Sequence, residues 1–270
     1  MMLCKSAGVE DVIKNLDNYK DYYVEFKYDG IRAFIIVENG NVKIINRDKN
    51  NITKYFPEIV NEAKKLPDNI YDGEIVSIEN ENPANVLVRL TDNDLKIKLL
   101  SKMYPCRFFV FDVVGKDYCQ MPLEYRKKIL DKIWADNYFE QEFKYIVKVP
   151  YYGIDMFEQL WYDVVKVLNK EGLILKHKQS KYYFDKRTDY WIKIKNMKEA
   201  VVEIVDYEKH PAGAVFITKD GNRINLNGIE MANKVIDALS KGKKMLFEIE
   251  YLEKTKDNKF RFAKVKRVRL

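Results

Sequence analysis

The sequence is poor in the two residue types on which much enzyme and metal chemistry depends. It has 3 cysteines, Cys4, Cys106 and Cys119, and 2 histidines, His177 and His210, in 270 residues. The cysteines are odd in number and none are spaced as Cys-x-x-Cys, which argues against a disulfide framework and a structural zinc site. Two histidines are too few for a His-rich metal centre and argue against a Ser-His-Asp triad. Any enzyme chemistry must therefore use Lys, Arg and carboxylates.

Long hydrophobic runs are also missing. The longest apolar stretches, such as residues 33–37, are far shorter than the ~20 residues that a membrane-spanning helix needs. The chain starts Met-Met-Leu-Cys-Lys without an apolar segment after it, so we expect no signal peptide, no membrane association and a cytoplasmic location. With 47% hydrophobic and 33% charged residues, the composition is that of an ordinary globular protein of at most two domains.

Most of the chain lacks an excess of either charge. The net charge is +7, and residues 241–270 alone hold eleven Lys or Arg against four acids, so the first 240 residues are balanced. A concentrated cationic segment is typical of a protein with a phosphate-rich partner. The alternative is a solvated basic tail.

Alternating apolar and polar residues dominate the first part of the sequence. Val24, Phe26 and Tyr28 fall on one face of a predicted strand, and Glu25 and Lys27 fall on the other. The same patterns, with turns at Asp-Gly and Asn-Gly, predict strands at 31–37, 42–45, 72–78, 108–114, 173–176 and 190–195 and helices at 56–65, 123–133 and 157–168. The predicted class is α+β with a mainly antiparallel sheet.

After residue 195 the pattern changes to short strands. They are predicted at 201–206, 214–218, 223–226, 244–252 and 260–268, with a helix at 230–239. Five strands with a helix between the third and the fourth is the order of an OB-fold β-barrel, although other five-stranded barrels give the same count. We therefore expect one domain at residues 1–196 and an OB-fold domain at residues 197–270.

The run Lys27-Tyr-Asp-Gly-Ile-Arg32 places a lysine at a strand end beside a tight turn. A lysine becomes a nucleophile only when it is deprotonated, which desolvation or neighbouring cations favour by lowering its pKa. An inward-facing Lys27 would meet that requirement. The alternative is a surface hairpin with salt-bridging charges.

Other residues are of types that suit a nucleotide. Lys193 and Lys195 alternate with two isoleucines, so a strand would aim both lysines at one site, as a triphosphate requires. Glu74 follows a glycine and can accept hydrogen bonds from ribose hydroxyls. Glu171 suits Mg²⁺, and Phe111 offers a ring face to a purine. Each has a structural alternative. The two lysines could form a solvated face of an edge strand, and Glu74 could be an ordinary acid in a turn. Glu171 could be an acid at a helix end, and Phe111 could be a core residue.

Six short blocks of the sequence occur in a particular order over about 170 residues. The blocks are Glu25 to Arg32, Asn46-Arg47-Asp48 with Thr53 and Phe56 to Ile59, Asp72 to Val76, Phe109 to Asp112 with Pro122-Leu123-Glu124 and Arg126, Glu171 to Lys176, and Trp191 to Lys195. In this order they closely resemble the motifs of the ATP-dependent DNA ligases. That family belongs to the covalent lysine nucleotidyltransferases, with the mRNA capping enzymes and RNA ligases.

The resemblance implies an antiparallel-sheet adenylation domain and a reaction in three steps. Lys27 attacks the α-phosphorus of ATP, the AMP moves to the 5′-phosphate of a nick in duplex DNA, and a 3′-hydroxyl displaces it. The implied cofactors are ATP and Mg²⁺ or Mn²⁺, and the implied partner is nicked duplex DNA. Such phosphoryl transfers need positioning, cations and Mg²⁺ rather than a histidine base.

The resemblance also implies a role for each site residue. Lys27 would be adenylylated on Nζ, and the catalytic Lys193 and Lys195 would contact the α-phosphate region. Glu25 would contact the adenine, and Phe111 would stack on it. The other implied ligands are Arg32, Arg47 and Glu74 for the ribose, the phosphate or the DNA end, and Glu171 with Glu74 for the metal.

Residues 254–269 resemble the last ligase motif, which orients the leaving pyrophosphate. Ala263 stands where a proline is common, and the sequence stops at Leu270 without the charged residues that often follow. Lys264, Lys266 and Arg267 are therefore all candidates for contact with the triphosphate, and Lys264 and Arg267 are the two that we assign to the cofactor.

Only 26 residues precede Lys27. We therefore expect a minimal, monomeric two-domain ligase that binds DNA phosphates itself or is presented with the nick by repair or end-joining proteins. Its role in replication, repair or recombination stays open. An RNA ligase or RNA guanylyltransferase is the first alternative, although the spacing around residues 53–59 and 123–126 argues against it. A non-catalytic nucleic-acid-binding module is the second.

Overall fold

The computed structural model describes residues 1–79, 81, 83–115, 117–136, 143–255 and 257–269. The chain divides into two compact units, Met1–Lys195 and Asn196–Leu270. Lys256, one of the eleven C-terminal cations, lies outside the described residues. Within them, no helix has the length and apolar character to cross a membrane. The cytoplasmic location stays a prediction.

Two mixed sheets form the N-terminal unit. Its strands are β1 (Leu3–Ser6), β2 (Tyr22–Lys27), β3 (Ile31–Glu38), β4 (Asn41–Asn46), β5 (Asn69–Ser77), β6 (Cys106–Val113), β7 (Ile146–Lys148), β8 (Gly172–His177) and β9 (Arg187–Lys195). One sheet has the order β1-β9-β8-β2 and the other β4-β3-β5-β6-β7. All neighbours are antiparallel except β1 with β9 and β6 with β7, so the predicted, mainly antiparallel sheet is confirmed.

The helices of this unit lie between the strands. They are α1 (Val9–Lys14), α2 (Pro57–Ala63), α3 (Pro83–Leu87), α4 (Asp94–Met103), α5 (Leu123–Asp136) and α6 (Phe157–Gln159), which continues as a π-helix at Leu160–Lys166. Single 3₁₀ turns occur at Leu16–Tyr19, Thr53–Tyr55, Tyr118–Gln120 and Ile154–Met156. The helices predicted near 56–65, 123–133 and 157–168 are present. The sequence patterns missed α1, α3 and α4, and the first two are too short to show a helical period.

Apolar side chains on one face of each sheet form the core of the N-terminal unit. Ile35 and Ile75 of the five-stranded sheet pack with Ile59 of α2 and with Leu130 and Trp134 of α5. In the four-stranded sheet, Val24, Leu173, Leu175 and Ile194 pack with Phe157 and Trp161. Because strand residues alternate in direction, the same β2 that buries Val24 in this core turns Glu25 and Lys27 to its other face.

Gly30 lets the turn after β2 lie close to β5. A Cβ atom at this position would lie 2.0 Å from the carbonyl oxygen of Ile75. A side chain would therefore push the turn, and with it Lys27, away from β5.

The C-terminal unit is a five-stranded sheet with one long helix. Its elements are β10 (Lys198–His210), β11 (Gly213–Thr218), β12 (Arg223–Asn227), α7 (Ile229–Ser240), β13 (Met245–Tyr251), β14 (Glu253–Lys254), β15 (Phe260–Arg261) and β16 (Lys264–Arg269). The sheet order is β12-β11-β10-β13-β16, β14 pairs with β15, and the edge strands β12 and β16 also contact each other. The helix lies between the third and fourth sheet strands, as predicted for an OB-fold.

One predicted strand in this unit is wrong in its extent. Residues 260–268 form two strands, β15 and β16, because Phe262 has a φ of 55° and interrupts the extended backbone. Positive φ is uncommon for a phenylalanine, and the apolar-polar alternation of the sequence does not reveal it.

A fully buried ion pair joins α5 to β6. Arg126 Nε and Nη2 donate to the two carboxylate oxygens of Asp112 at 2.8 and 2.9 Å. Arg126 Nη1 donates to the carbonyl oxygens of Met121 and Ser180 at 2.6 and 2.9 Å. Both ionic side chains are 0% exposed, so removing one of them leaves an uncompensated charge in the interior.

We expect Arg126→Leu to destabilise the N-terminal unit by about 3–5 kcal/mol, because Asp112 stays buried without its cation. All 3 tryptophans, Trp134, Trp161 and Trp191, lie in this unit, so urea unfolding followed by tryptophan fluorescence reports on it. Lys132→Leu, at an exposed position of the same helix, is the control. Equal unfolding midpoints for the two variants would contradict the prediction.

Candidate active site

A cleft of about 170 Å³ lies in the N-terminal unit around the end of β2. It brings together seven of the residues that the sequence assigned to a nucleotide site, namely Glu25, Lys27, Arg32, Arg47, Glu74, Phe111 and Lys193. Glu171 and Lys195 join this group through ion pairs. Lys264 and Arg267 belong to the C-terminal unit.

Strand register places Lys27 and Lys195 beside the same acid. Lys27 of β2 and Lys195 of β9 both lie opposite Gly172, the first residue of the intervening β8. Glu171 precedes this glycine and accepts from Lys27 Nζ at 2.7 Å, and its other oxygen lies 3.0 Å from Lys195 Nζ. A Cβ on Gly172 would lie 2.0 Å from the carbonyl oxygen of Ile194, so only glycine fits between the strands.

The environment of Lys27 corrects one expectation from the sequence. Burial lowers the pKa of Lys27, as expected, but the nearby carboxylates of Glu171, Glu74 and Asp29 raise it more, so that the net pKa lies above its ordinary value. The predicted lowering is therefore wrong for this state of the protein. Lys27 is an ammonium held by Glu171, and its reaction as a nucleophile requires that this pair be broken.

Glu74 and Lys193 form no ion pair with a described residue. Glu74 accepts no hydrogen bond from a described residue, and desolvation raises its pKa to about 7 against the opposing effect of Lys27 and Arg32. Desolvation, and next the charge of Lys195, lower the pKa of Lys193, which has no carboxylate partner among the described residues. An anionic ligand can therefore pair with Lys193 without displacing a protein carboxylate.

Arg32 is fixed in the cleft wall by residues that the sequence analysis did not assign. Its Nε and Nη2 donate to the buried Asp72 carboxylate at 3.1 and 2.7 Å, and Nη1 donates to the carbonyl oxygen of Met2 at 2.6 Å. The Tyr182 hydroxyl donates to the same carboxylate at 2.6 Å. Burial lowers the pKa of Arg32, and Asp72 raises it more, so the guanidinium stays charged.

Phe111 has cations and a tryptophan around its ring. It is 8% exposed, and the ring of Trp191 meets it edge-on at 6.0 Å between centroids. The Arg32 guanidinium carbon lies 5.2 Å from its centroid, and Lys176 Nζ lies 3.9 Å from it. Phe111 thus belongs to the core and also lines the cleft, so the two alternatives that the sequence left open are compatible.

The sequence analysis missed several residues of the cleft. They are Leu3 and Cys4 of β1, Lys176 of β8, and Arg187 and Trp191 of β9. Strand β1 is only four residues long, so its pattern carried no signal. Lys176 and Trp191 stood inside quoted sequence blocks, but only the folded chain shows which residues they face.

Two carboxylates of the cleft could serve a metal. Among the described residues, no group of three or more His, Cys, Asp or Glu side chains is arranged to hold a metal ion. Glu171 and Glu74 supply hard oxygen atoms, and Mg²⁺ is commonly held by one or two carboxylates together with water and phosphate oxygens. The donor set therefore fits Mg²⁺ in the company of a phosphate ligand.

The cations of β16 differ in whether they form an ion pair. Lys266 pairs with Glu199 of β10, and Arg269 pairs with Glu248 of β13. Lys264 and Arg267 are exposed and have no carboxylate partner within the described part of the C-terminal unit.

Comparison with known proteins was made on sequence and on structure. The family model described as ATP dependent DNA ligase domain matches residues 1–195. The DNA ligase of Sulfolobus acidocaldarius is 33% identical over 207 residues, covering 71% of this chain and 32% of that protein. The bifunctional non-homologous end joining protein LigD of Bacillus subtilis is 32% identical over 211 residues, covering 69% of this chain and 33% of that protein. The chain thus spans about a third of the length of these relatives.

Solved structures of ligases share the fold of the whole chain. A Lig E DNA ligase superposes with a TM-score of 0.69 at 20% identity, covering 100% of this chain and 98% of that one. Mycobacterial DNA ligase D in complex with ATP has a TM-score of 0.56 at 18% identity, covering 99% and 94%. The α+β fold, with an adenylation domain followed by an OB-fold domain, is thereby confirmed. From the match over residues 1–195, the chain belongs to the family of ATP-dependent DNA ligases.

Proposed function

We propose that the chain is an ATP-dependent DNA ligase that seals nicks between a 5′-phosphate and a 3′-hydroxyl through a lysyl-AMP intermediate and an adenylylated DNA end. The observation that carries this proposal is the placement of Lys27 at the mouth of a cleft lined with Lys193, Arg32 and Arg47. No observation favours an RNA ligase or guanylyltransferase, which becomes an outcome of the test below.

In the first step the Lys27 Nζ atom attacks the α-phosphorus of ATP. A nitrogen-phosphorus bond forms, and the bond from the α-phosphorus to the pyrophosphate oxygen breaks. Lys27 must first lose its proton to water, and Glu171 accepts the hydrogen bond of the ammonium at 2.7 Å, so this pair holds the proton on Lys27 until it is broken. Lys193, uncompensated by any described carboxylate, is placed to stabilise the charge on the reacting phosphate. Lys195 shares Glu171 and is released together with Lys27 when that acid disengages.

The other cleft residues bind the nucleotide. Phe111 supplies a ring face for the adenine, Glu25 a buried carboxylate for its amino group, and Glu74 an acceptor for the ribose hydroxyls. Arg32 is held in place by Asp72 and by the carbonyl oxygen of Met2, so its positive charge has a fixed position in the cleft wall for a phosphate or ribose.

Glu171, with Glu74, would hold Mg²⁺ or Mn²⁺. The bound ion would neutralise phosphate charge and so favour departure of pyrophosphate. Metal binding by Glu171 would reduce the negative charge that acts on Lys27. The same acid would then keep the pKa of Lys27 high without the metal and would allow the pKa of Lys27 to fall with the metal bound.

The later steps use the same cations on DNA. The 5′-phosphate attacks the α-phosphorus of lysyl-AMP, which frees Lys27, and the 3′-hydroxyl then displaces AMP from the DNA end. We assign Lys264 and Arg267 of β16 to phosphate contacts, because they are the cations in the described part of that strand that form no ion pair. Partner proteins for repair or end joining stay proposals, as does the monomeric state.

Incubation with Mg²⁺ and ATP labelled at the α-phosphate should give an acid-stable adduct on the protein. Lys27→Ala and Lys27→Arg should give none, because neither offers a nucleophilic amine at the strand end. Lys43→Ala, which removes an exposed lysine of β4, is the control and should label as the unchanged protein does. The measurement is radiolabel on the denatured chain, followed by mapping of the modified peptide.

Transfer of AMP from that adduct to a nucleic acid distinguishes a DNA ligase from an RNA ligase or a guanylyltransferase. Chase with a nicked duplex should give adenylylated and then sealed DNA. Labelling by GTP alone would indicate capping chemistry, and transfer only to RNA ends would indicate an RNA ligase. An adduct that persists in Lys27→Ala would remove the proposed nucleophile.

Glu171→Gln should lower the pKa of Lys27, because it removes the nearest anion while burial remains. At a fixed pH below that pKa, the neutral fraction of Lys27 rises by on the order of tenfold for each unit by which the pKa falls. Competitive acetylation at pH 8, read by mass spectrometry of the Lys27 peptide, should therefore be faster. Glu158→Gln, at an exposed position of α6, is the control. Unchanged acetylation in Glu171→Gln would show that Glu171 does not control the lysine.

Lys264→Ala and Arg267→Ala should each slow adduct formation about 10- to 100-fold, the loss expected for a charge-assisted contact. Lys266→Ala is the matched control on the same strand and should slow it by less than about threefold, because Lys266 is already paired with Glu199. Single-turnover labelling with ATP gives all three rates. An equal loss in Lys266→Ala would contradict the assignment.

A further inference from the structure

A carboxylate with two lysines lies beneath the cleft. Glu25, 1% exposed, lies between Lys127 of α5 and Lys176 of β8, and each lysine is also 1% exposed. Lys176 Nζ donates to Glu25 Oε2 at 2.6 Å, and Lys127 Nζ lies 2.5 Å from Oε1. Three buried ionisable groups are costly to desolvate, so stability alone is a poor reason for the arrangement.

The two carboxylate oxygens of Glu25 differ in the hydrogen bonds that they accept. Oε2 accepts the hydrogen bond of Lys176. Lys127 directs its hydrogen bond to the carbonyl oxygen of Phe111, at 2.7 Å, and meets Oε1 only as an ion pair. Oε1 is buried and accepts no hydrogen bond from the described residues. Glu25 lines the cleft, and a carboxylate oxygen has more than one acceptor position, so Oε1 can accept a hydrogen bond from a ligand while it stays paired with Lys127.

Lys176 also ties the acid to the aromatic wall of the cleft. Its Nζ lies 3.9 Å from the centroid of Phe111 and 4.3 Å from that of Trp191, within the range of cation-π contacts. Desolvation lowers the pKa of Lys176 to about 8, against the raising effect of Glu25. Lys176 thus holds the Glu25 carboxylate and the two aromatic rings in one arrangement.

We propose that Lys127 and Lys176 are positioning residues that hold the Glu25 carboxylate in place and direct its Oε1 at the 6-amino group of a bound purine. An amino group donates to that oxygen. A 6-oxo purine would present an acceptor to it instead, and a purine with hydrogen at this position would leave it unsatisfied. The triad thereby selects a 6-aminopurine nucleotide. The inference rests on the proposed reaction with ATP and adds the groups that determine its base specificity.

The test compares ATP with purine riboside 5′-triphosphate, which differs only in lacking the 6-amino group. Initial rates of adduct formation at varied nucleotide concentration give kcat and KM for the unchanged protein and for Lys176→Met, Lys127→Met, Lys176→Arg and Glu25→Gln. Methionine keeps the length and apolar stem of the lysine without its charge. Lys148→Met is the matched control, because Lys148 is partly buried and paired with Asp131 at 2.8 Å, away from the cleft.

The unchanged protein should use ATP with a KM at least about tenfold below that for the analogue, as expected when a hydrogen bond to a charged group is lost. Lys176→Met should raise the KM for ATP by a similar factor and change the KM for the analogue by less than about threefold. Lys127→Met and Glu25→Gln should do the same, Lys176→Arg should restore part of the preference, and Lys148→Met should change neither KM.

A merely structural role predicts a different result. Equal loss with ATP and with the analogue in Lys176→Met would overturn the inference, as would equal use of the two nucleotides by the unchanged protein. The latter comparison needs no variant, so it holds even where a substitution prevents folding. Absence of any adduct from ATP would count against the proposed function instead. In that case calorimetric affinities for the two nucleotides test the triad in the same way, and equal affinities overturn it.

Discussion

The cleft of the N-terminal unit depends on one constraint, which is that an ion taken out of water must have a counter-ion. Three of the site charges have such a partner, and each partner comes from a distant part of the chain. Arg32 is paired with Asp72, Glu25 with two lysines, and Lys27 with Glu171. These pairs join neighbouring strands within each sheet, and Lys127 also joins β2 to α5. The same contacts that pair the buried charges therefore also fix the positions of the groups that meet a nucleotide.

The residues that the sequence could identify are those whose role is local. Alternation placed Glu25 and Lys27 on one face of a strand, because side-chain direction in a strand has a period of two residues whatever the fold. The sequence could not identify the partners of these residues. Lys127 and Lys176 lie 102 and 151 positions from Glu25 (127−25 and 176−25), and only the packing of α5 and β8 brings them to it. The pKa of Lys27 was misjudged for the same reason.

In the C-terminal unit, the fold determines which cations of the basic segment form ion pairs, and the sequence alone gives only their number. From the sequence, the cations of residues 241–270 formed a single group. In the folded unit, β16 lies next to β13 and the sheet carries Glu199 and Glu248, which take up Lys266 and Arg269. The alternation of the sequence predicted a strand here but not this register, nor the interruption of the extended backbone before β16. Within the described part of β16, Lys264 and Arg267 form no ion pair and remain available to an outside phosphate.

The two carboxylates that hold lysines in the N-terminal unit differ in how readily they can release them. Both lysines at Glu25 are 1% exposed, whereas those at Glu171 are 20% and 22% exposed. The lysines at Glu171 are thus more accessible to water and phosphate than those at Glu25, so exchange of partners costs less at Glu171. This difference matches the two tasks that the site requires. Recognition of a base needs an acceptor that stays in one place. Transfer of a phosphoryl group to Lys27 needs an acid that gives up its lysine when another cation takes its place.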